Sequence, residues 1–214
     1  MCGSQARAAR PSGMQCSHEM EVRTAELVRA ARAGDPGAFE ALFGASAGRV
    51  LVFARARLGA ALAAEVDDGD LLQEVYLAAQ AGIGGFRGED LRSFQAWLCT
   101  LTAHRIADHG RRAARGPGRA AEGVSRALAL ASDPRSGPFT AAARRDRREA
   151  VAAALAALPE DERAALLMHH FEGLTQAEVA ARLGTSASTV QRRMAAALLS
   201  VGRALRAARE EGEL

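Results

Sequence analysis

Residues 175–193 carry side chains whose types and spacing suit the reading of duplex DNA. Thr175 and Glu178 have the spacing of a capping box, which predicts that a helix begins here. Gly184-Thr185 provides a tight turn, and Ser186 can cap a second helix. The exposed start of this second helix holds a mostly polar set of residues, which are Ala187, Ser188, Thr189, Gln191, Arg192 and Arg193.

The first turns of the second helix in a helix-turn-helix enter the major groove and meet the base edges. Gln and Arg can bind adenine and guanine bidentately, so we expect Gln191 and Arg192 to carry most of the direct readout. An ordinary helical hairpin with a solvated arginine pair is the alternative, which the ordered series of cap, turn and polar helix disfavours. Further candidates for DNA contacts are Ser188, Thr189 and Arg193, with phosphate-binding helix starts at Thr175 and Ser186.

A second candidate binding surface lies between residues 70 and 77. Leu72, Val75, Tyr76 and Ala79 recur at spacings of three and four, which predicts a buried helical stripe. The opposite face combines acids, an amide and one leucine, which are Asp70, Gln73, Glu74 and Leu77. This composition fits a protein partner, although a solvated face is the usual alternative.

The apolar spacing along the rest of the chain is helical, and no segment has the pattern of a strand. We therefore predict an all-α protein of two small helical domains joined by a flexible linker, with the helix-turn-helix in the second. The predicted parts are a disordered tail at 1–20, a helical domain at 21–112, a basic linker at 113–140 and a helix-turn-helix domain at 141–214. Predicted helix caps are Thr24, Asp35, Ser93 and Thr140, and predicted inward-facing residues of the last helix are Val190, Met194, Ala197 and Leu198.

Composition and charge limit the classes of function. The formal net charge is +3, but residues 111–150 hold ten arginines against four acids, which places the basic excess at the predicted linker. No run of about 18 apolar residues and no signal-peptide core are present, so we expect a cytoplasmic protein. Cys2, Cys16 and Cys99 are irregularly spaced, and Cys16 with His18 lacks a second close pair of ligands. The sequence predicts no disulfide framework, no metal site and no cofactor.

Two sets of motifs occur in a fixed order. The N-terminal set is the run DLLQEVY at 70–76, then Phe86-Arg87, then Phe94 with Trp97-Leu98. The C-terminal set is Leu158-Pro159 with Arg163, the run GLTQAEVA at 173–180 and Ser188-Thr189-Val190. In both sets the chain resembles a bacterial RNA polymerase sigma factor of the extracytoplasmic-function type, over residues 25–112 as its region two and 150–206 as its region four.

The resemblance implies a function for each region. Region four reads the minus-thirty-five promoter element, while region two binds the clamp helices of the largest polymerase subunit and melts the minus-ten element. The expected polymerase-binding residues are therefore Asp70, Gln73, Glu74 and Leu77. The expected minus-ten residues are Phe86, Arg87, Trp97, His104, Arg105, Arg111 and Arg112. The resemblance implies core RNA polymerase and promoter DNA as partners, an anti-sigma factor as a further candidate, and no membrane.

The chain departs from the family pattern in region two. His104 stands where many relatives carry an Asn that lines the pocket for the flipped base, and Cys99-Thr100 replaces the usual basic and aromatic residues. We expect a different base preference at this pocket. We also expect weaker strand melting, which makes initiation depend on a well-matched promoter.

Two other classes of function compete with this interpretation. The first is a stand-alone DNA-binding regulator that uses the C-terminal half. The second is a metal hydrolase built on His169-His170, but adjacent residues on a helix point about 100° apart and make a poor ligand pair. We expect these histidines to be a partly buried packing pair, and we predict no catalytic chemistry.

Overall fold

The computed structural model of the protein describes residues 13–58, 66–114 and 138–210. Every regular element within these ranges is helical, as the apolar spacing predicted. The α-helices are α1 (Gly13–Arg32), α2 (Pro36–Arg57), α3 (Asp68–Gly82), α4 (Leu91–Ala113), α5 (Pro138–Ala156), α6 (Glu160–Leu166), α7 (Gln176–Leu183) and α8 (Ala187–Glu210). A 3₁₀ turn at Ile83–Gly85 follows α3, and a π-helical turn at Leu167–Phe171 follows α6.

Local side-chain caps explain where the first helices begin. The Oδ1 atom of Asp35 accepts hydrogen bonds from the N–H groups of Gly37 and Ala38 at 2.8 and 3.1 Å, so the predicted cap of α2 is confirmed. Helix α1 begins at Gly13, and Thr24 therefore lies within it and is not its cap. Residues 13–20 were predicted to be disordered, but good helix formers such as Met and Glu extend the helix through them.

The helices α2, α3 and α4 share an aromatic core. The ring of Tyr76 meets those of Phe39 and Phe43 edge-on, with centroid distances of 5.3 and 5.1 Å. Phe39 also packs against Phe94 of α4 at 6.4 Å. The predicted stripe of Leu72, Val75, Tyr76 and Ala79 is buried here, which confirms it. Because removal of a buried ring costs about 3–5 kcal/mol, this cluster fixes the three helices relative to one another.

Two further predicted caps were wrong. Asp90 caps α4, since its Oδ1 atom accepts the Ser93 N–H at 2.7 Å, and Ser93 is instead the third helical residue of the same capping box. Helix α5 begins at Pro138, so Thr140 lies in its first turn. Pro is favoured at the first position of a helix, because its missing N–H would have no partner there.

The N-terminal unit (α1–α4) and the C-terminal unit (α5–α8) pack against each other. One buried apolar cluster contains residues of both, namely Val52, Phe53, Ala56, Cys99 and Ala103 from the first and Leu155, Leu158, Leu166, Leu167 and Ala197 from the second. Residues 115–137 of the predicted linker lie outside the described residues, as do 1–12 of the predicted tail. The division into two domains stays a prediction.

Helix α2 runs through the middle of the protein. Among the described residues it is the one helix that is long and apolar enough to cross a membrane by length and composition, although no run of this kind was predicted. It escaped the sequence criterion because charged residues such as Arg49 interrupt it. However, 61% of its most apolar window is buried inside the protein, which is the burial of a core helix.

Candidate nucleic-acid interface

Helices α7 and α8 form the predicted helix-turn-helix. The Thr175 side chain accepts the Glu178 N–H at 3.3 Å, and the Glu178 carboxylate accepts the Thr175 N–H at 2.7 Å, which confirms the capping box. The hydrogen bonds from Thr175 lower the pKa of the Glu178 carboxyl. Gly184 ends α7 with a φ of 62°, a left-handed conformation that strongly favours glycine and that turns the chain into α8.

A small apolar core holds the two helices together. It consists of buried residues from α6, the π-helical turn, α7 and α8, which are Ala165, Met168, Val179, Ala180, Val190 and Met194. Ala180 lies within this core and is 5% exposed. Since Val190 and Met194 point into this core, the side chains on the other face of α8 point outward.

The start of α8 places the predicted reading residues in different environments. Ser188, Gln191 and Arg192 are exposed. The Ser186 Oγ atom accepts the Thr189 N–H at 3.2 Å, so Ser186 caps α8 as predicted. The Ser186 hydroxyl also lies 3.0 Å from the hydroxyls of both Ser188 and Thr189, which occupies part of their hydrogen-bonding capacity.

Arg193 differs from its neighbour Arg192. Its guanidinium pairs with the carboxylate of Asp161 on α6, and its side chain is 25% exposed. Arg192 has no carboxylate partner among the described residues and is exposed. Among the described residues at the start of α8, Gln191 and Arg192 are therefore the longest side chains that are exposed and held in no ion pair.

The prediction for Leu198 was wrong. The inward stripe of α8 is Val190, Met194, Ala197 and the partly buried Val201. Leu198 lies about 100° around the helix from Ala197, which takes it out of this stripe. It is 51% exposed beside Leu199, which is 68% exposed.

A second surface runs along α4. Trp97, His104 and Arg111 are seven residues apart, so they follow one side of the helix, with Arg105 and Arg112 beside them. His104 and Arg112 are exposed, while Trp97 and Arg105 are partly buried. The residues predicted for the minus-ten element on this helix thus share one elongated surface.

Phe86 is less accessible than its predicted role requires. Its ring is 7% exposed and lies 5.7 Å from that of Phe94 and 5.1 Å from that of Trp97. It therefore belongs to the aromatic core and supports the following loop from below. Arg87, the next residue, is exposed at the surface of that loop.

An acid that was not predicted lies within the α4 surface. Asp108 pairs with the guanidinium groups of both Arg105, at 3.7 Å, and Arg111. The spacing of three residues in each direction is the signal that could have revealed these pairs. Asp108 partly neutralises the positive charge that was expected to attract a DNA strand.

The face of α3 predicted to bind polymerase lies opposite the buried stripe. Leu77 is 54% exposed, whereas Asp70, Gln73 and Glu74 are partly buried. Both carboxylate oxygens of Glu74 lie 3.1 Å from Nε2 of His109 on α4, which holds the carboxylate in place. The face thus combines one exposed apolar side chain with a positioned acid.

The two adjacent histidines lie in different surroundings. The Nδ1 atom of His169 lies 2.7 Å from the carbonyl oxygen of Leu174, and the ring planes of His169 and His170 are 78° apart. His169 is partly buried, as expected, but His170 is exposed. Within the described ranges, no group of three or more His, Cys, Asp or Glu residues could hold a metal ion.

Comparison with known sequences gives matches in both units. The family described as Sigma-70 region 2 matches residues 42–116, and Sigma-70, region 4 matches residues 148–201. The probable RNA polymerase sigma factor RfaY of Xanthomonas campestris pv. campestris is 30% identical over 132 residues, which is 62% of this chain and 32% of that protein. The ECF RNA polymerase sigma factor BldN of Streptomyces coelicolor is 37% identical over 87 residues, or 41% and 31%. The chain thus spans about a third of the length of these curated relatives.

Two solved structures are also similar to the chain. One is CnrH in complex with the cytosolic domain of CnrY, at 26% identity and a TM-score of 0.43, over 86% of this chain and 97% of that one. The other is the RsbN–BldN complex, at 22% identity and a TM-score of 0.31, over 82% and 97%. The two Sigma-70 regions match in the expected order and together cover more than half of the chain. The chain belongs to the sigma-70 family of RNA polymerase sigma factors and is of the extracytoplasmic-function type.

Proposed function

We propose that this chain is a dissociable subunit of RNA polymerase that directs transcription from particular promoters. In this proposal the α3 face around Leu77 binds core polymerase, α8 reads the minus-thirty-five element, and the α4 surface with the loop at 86–90 binds the opened minus-ten element. The protein itself catalyses no reaction and acts in the cytoplasm. Core polymerase and promoter DNA are its proposed partners, and an anti-sigma factor remains a further candidate.

The observation that carries the proposal is the exposure of Gln191 and Arg192 on the first turns of a capped helix. Their neighbours Val190 and Met194 are buried, so the helix is held with these two side chains outward. Arg and Gln at such positions can bind purine edges in the major groove. The region 2 match over 42–116 supports the polymerase and minus-ten part, since a stand-alone regulator would not need that unit.

In vitro transcription with purified core polymerase tests the proposal. Genomic fragments are transcribed with and without the protein, and the start sites are mapped, which gives both promoter elements. We expect Arg192→Ala to reduce transcription from the mapped promoters by roughly 5- to 150-fold, because a good bidentate contact contributes about 1–3 kcal/mol of base discrimination. The matched control is Arg203→Ala, which removes an exposed arginine from the same helix three turns further on.

Two outcomes would contradict the proposal. If the protein fails to enrich the large polymerase subunits in a pull-down, it is not a polymerase subunit, and binding to duplex DNA alone would then favour a stand-alone regulator. If Arg192→Ala and Arg203→Ala have equal effects on transcription, the readout assigned to Arg192 is wrong.

A further inference from the structure

One acid of the α3 face predicted to bind polymerase is paired with a histidine of α4. The Nε2 atom of His109 lies 3.1 Å from each of the two carboxylate oxygens of Glu74. Because an ionised carboxylate can only accept hydrogen bonds, Nε2 carries the proton of this contact. Among the residues that the structure describes, no other side chain forms a hydrogen bond or an ion pair with the Glu74 carboxylate. The orientation of this acid therefore depends on His109.

A buried apolar cluster next to the pair holds the two helices together. Leu71 lies one turn before Glu74 on α3, and Ile106 lies one turn before His109 on α4. Both belong to the same cluster, in which they are 1% and 7% exposed. Because closely packed apolar residues allow little relative movement, the two helix backbones present Glu74 and His109 to each other at a fixed separation.

The exposure of the pair suits a positioning role better than a role in stability. The side chains of His109 and Glu74 are 21% and 35% exposed, so water reaches both of them. Pairs of this kind add little to the free energy of unfolding, because solvent screens the charges and both side chains lose conformational freedom. The Glu74 carboxylate can accept about four hydrogen bonds, and the pair with His109 uses only part of this capacity. It can therefore bind a further donor while His109 holds it.

The surroundings of Glu74 indicate the chemistry of that donor. Leu77, one turn further along α3, is 54% exposed, and α3 contains no arginine or lysine. An apolar side chain beside a positioned acid is complementary to a protein surface that offers an apolar pocket and a basic side chain. A hydrogen bond between such a cation and a carboxylate is about twice as strong as one between neutral groups. Because His109 already fixes Glu74, less conformational entropy is lost when the partner binds.

We propose that His109 is a positioning residue for polymerase binding, and that it orients Glu74 to accept a hydrogen bond from a basic side chain of core polymerase. The inference rests on the proposed function, in which the α3 face binds core polymerase. His109 acts through Glu74 and does not contact the polymerase itself. A residue of α4 thereby contributes to an interaction surface that lies on α3.

Binding of the full chain to immobilised core polymerase, in the absence of DNA, tests the proposal. We expect His109→Ala and Glu74→Ala each to weaken binding roughly fivefold or more, as truncation at an important interface position does. His109→Gln should restore binding to within about twofold of the unsubstituted chain, because its amide nitrogen stands as many bonds from Cα as Nε2 of histidine and can donate to the same carboxylate. Gln95→Ala is the matched control, since it truncates another partly buried polar residue of α4, and we expect it to leave binding unchanged.

A double-mutant cycle separates positioning from a general structural effect. If His109 acts through Glu74, His109→Ala causes no further loss of binding in a chain that already carries Glu74→Ala. The thermal midpoint is expected to be the same in all these variants. Nuclear magnetic resonance of the free chain gives a second readout, because a ring N–H proton that is hydrogen-bonded to a carboxylate exchanges slowly with water. We expect this signal of His109 to disappear in Glu74→Ala, and His109→Gln identifies it among those of the five histidines.

Several outcomes would overturn the positioning role. If His109→Ala binds core polymerase as well as Gln95→Ala does, the role is refuted while the proposed function stands. The same holds if His109→Ala causes an equal loss with and without Glu74→Ala, since the histidine would then act independently of the acid. A His109 ring signal that is unchanged in Glu74→Ala would show that the pair does not form. If the unsubstituted chain itself fails to bind core polymerase, the proposed function fails and the positioning role fails with it.

Discussion

A Cβ atom on Gly88 would lie 2.3 Å from the Cζ atom of Phe86. The Phe86 ring cannot easily move away, because Phe94 and Trp97 hold it in the core. The same Cβ atom would lie 2.7 Å from the Cβ atom of Ser93, in the first turn of α4. Gly88 therefore allows the loop at 86–90 to pass directly over the Phe86 ring.

We predict that Gly88→Ala displaces this loop and reduces promoter opening at least tenfold. Permanganate reactivity of unpaired thymines at the minus-ten element measures opening, and binding to a minus-thirty-five duplex is expected to stay unchanged. Gly85→Ala is the matched control, since a Cβ atom at Gly85 would meet nothing within 4 Å. Equal opening in the two variants would show that the loop conformation is unimportant for melting.

Asp108 partly neutralises the positive charge of the α4 surface, because it pairs with both Arg105 and Arg111. We predict that Asp108→Asn strengthens binding to single-stranded DNA and makes it more dependent on salt. Each additional phosphate contact changes the slope of log affinity against log salt by about 0.7 for single strands, so two released arginines steepen it by about 1.4. Fluorescence anisotropy with a labelled oligonucleotide over a salt series measures the slope.

Glu26→Gln supplies the control for this charge change. Glu26 is exposed on another helix, α1, and its substitution alters the net charge by the same amount. If both variants steepen the slope equally, the effect is one of overall charge, and Asp108 has no particular role in DNA binding.

Leu77 is the most exposed large apolar side chain of the N-terminal unit, among the residues described, at 54%. We predict that Leu77→Ser weakens binding to core polymerase at least tenfold and leaves the thermal midpoint unchanged, because little buried area is lost. Val22→Ser on α1 is the control, since Val22 is also a large exposed apolar residue, at 46%. Binding to immobilised core polymerase measures the effect, and a loss shared by both variants would argue against the α3 face.

The features that the sequence predicted well are local. Ser186 and its partner Thr189 are three residues apart, as are Thr175 and Glu178, and such short-range hydrogen bonds are set largely by neighbouring residue types. The apolar stripes of α3 and α8 follow from helical periodicity in the same way. The errors at Thr24, Ser93 and Thr140 come from choosing one of several nearby polar residues as the cap.

The features that the sequence did not predict depend on residues far apart in the chain. Arg57 and Glu172 are 115 positions apart, and Asp161 and Arg193 are 32 apart, so neither pair has a local signal. The contact between the two units is of this kind, because its apolar residues have the same periodicity as an ordinary helix core. The predicted functions of the α3 and α4 residues stay predictions.

Although His170 is exposed, part of its ring is shielded from water, and this partial desolvation is the first cause that lowers its pKa, followed by the neighbouring His169, Arg49 and Arg92. Arg49 and Arg92 belong to the N-terminal unit, so protonation of His170 places like charges across the interface. In the unfolded chain the His170 ring binds this proton more readily, with a pKa near 6.5. The stability contributed by the neutral His170 ring is therefore complete above pH 6.5 and is lost as the pH falls below it.

We therefore predict that the free energy of unfolding decreases between pH 7.5 and 5.5, and that His170→Gln shows a smaller decrease. Urea unfolding followed by circular dichroism at the two pH values measures both. The comparison with His170→Gln separates this histidine from other groups that titrate over the same range. An equal decrease in the two proteins would mean that protonation of His170 does not weaken the contact between the N-terminal and C-terminal units.

Arg192 and Arg193 are adjacent in sequence, but their surroundings predict different roles. Arg193 is held by Asp161 on α6, so it can approach a phosphate only from a fixed position, whereas Arg192 is exposed at the face that meets the base edges. We predict that Arg192→Ala abolishes the preference for one base pair of the minus-thirty-five element, which costs about 1–3 kcal/mol for the preferred base alone. Arg193→Ala should weaken binding to every sequence to a similar extent and reduce the salt slope by about one.

Binding of each variant to the mapped minus-thirty-five duplex and to its single-base substitutions measures this difference. Because Arg193→Ala also breaks the pair with Asp161, Asp161→Asn is needed beside it. If Asp161 only positions Arg193, the Asp161→Asn protein keeps its salt slope and loses a smaller part of its affinity. If Arg193→Ala and not Arg192→Ala removes the preference for one base pair, the ion pair with Asp161 orients the reading side chain, and the roles of the two arginines are exchanged.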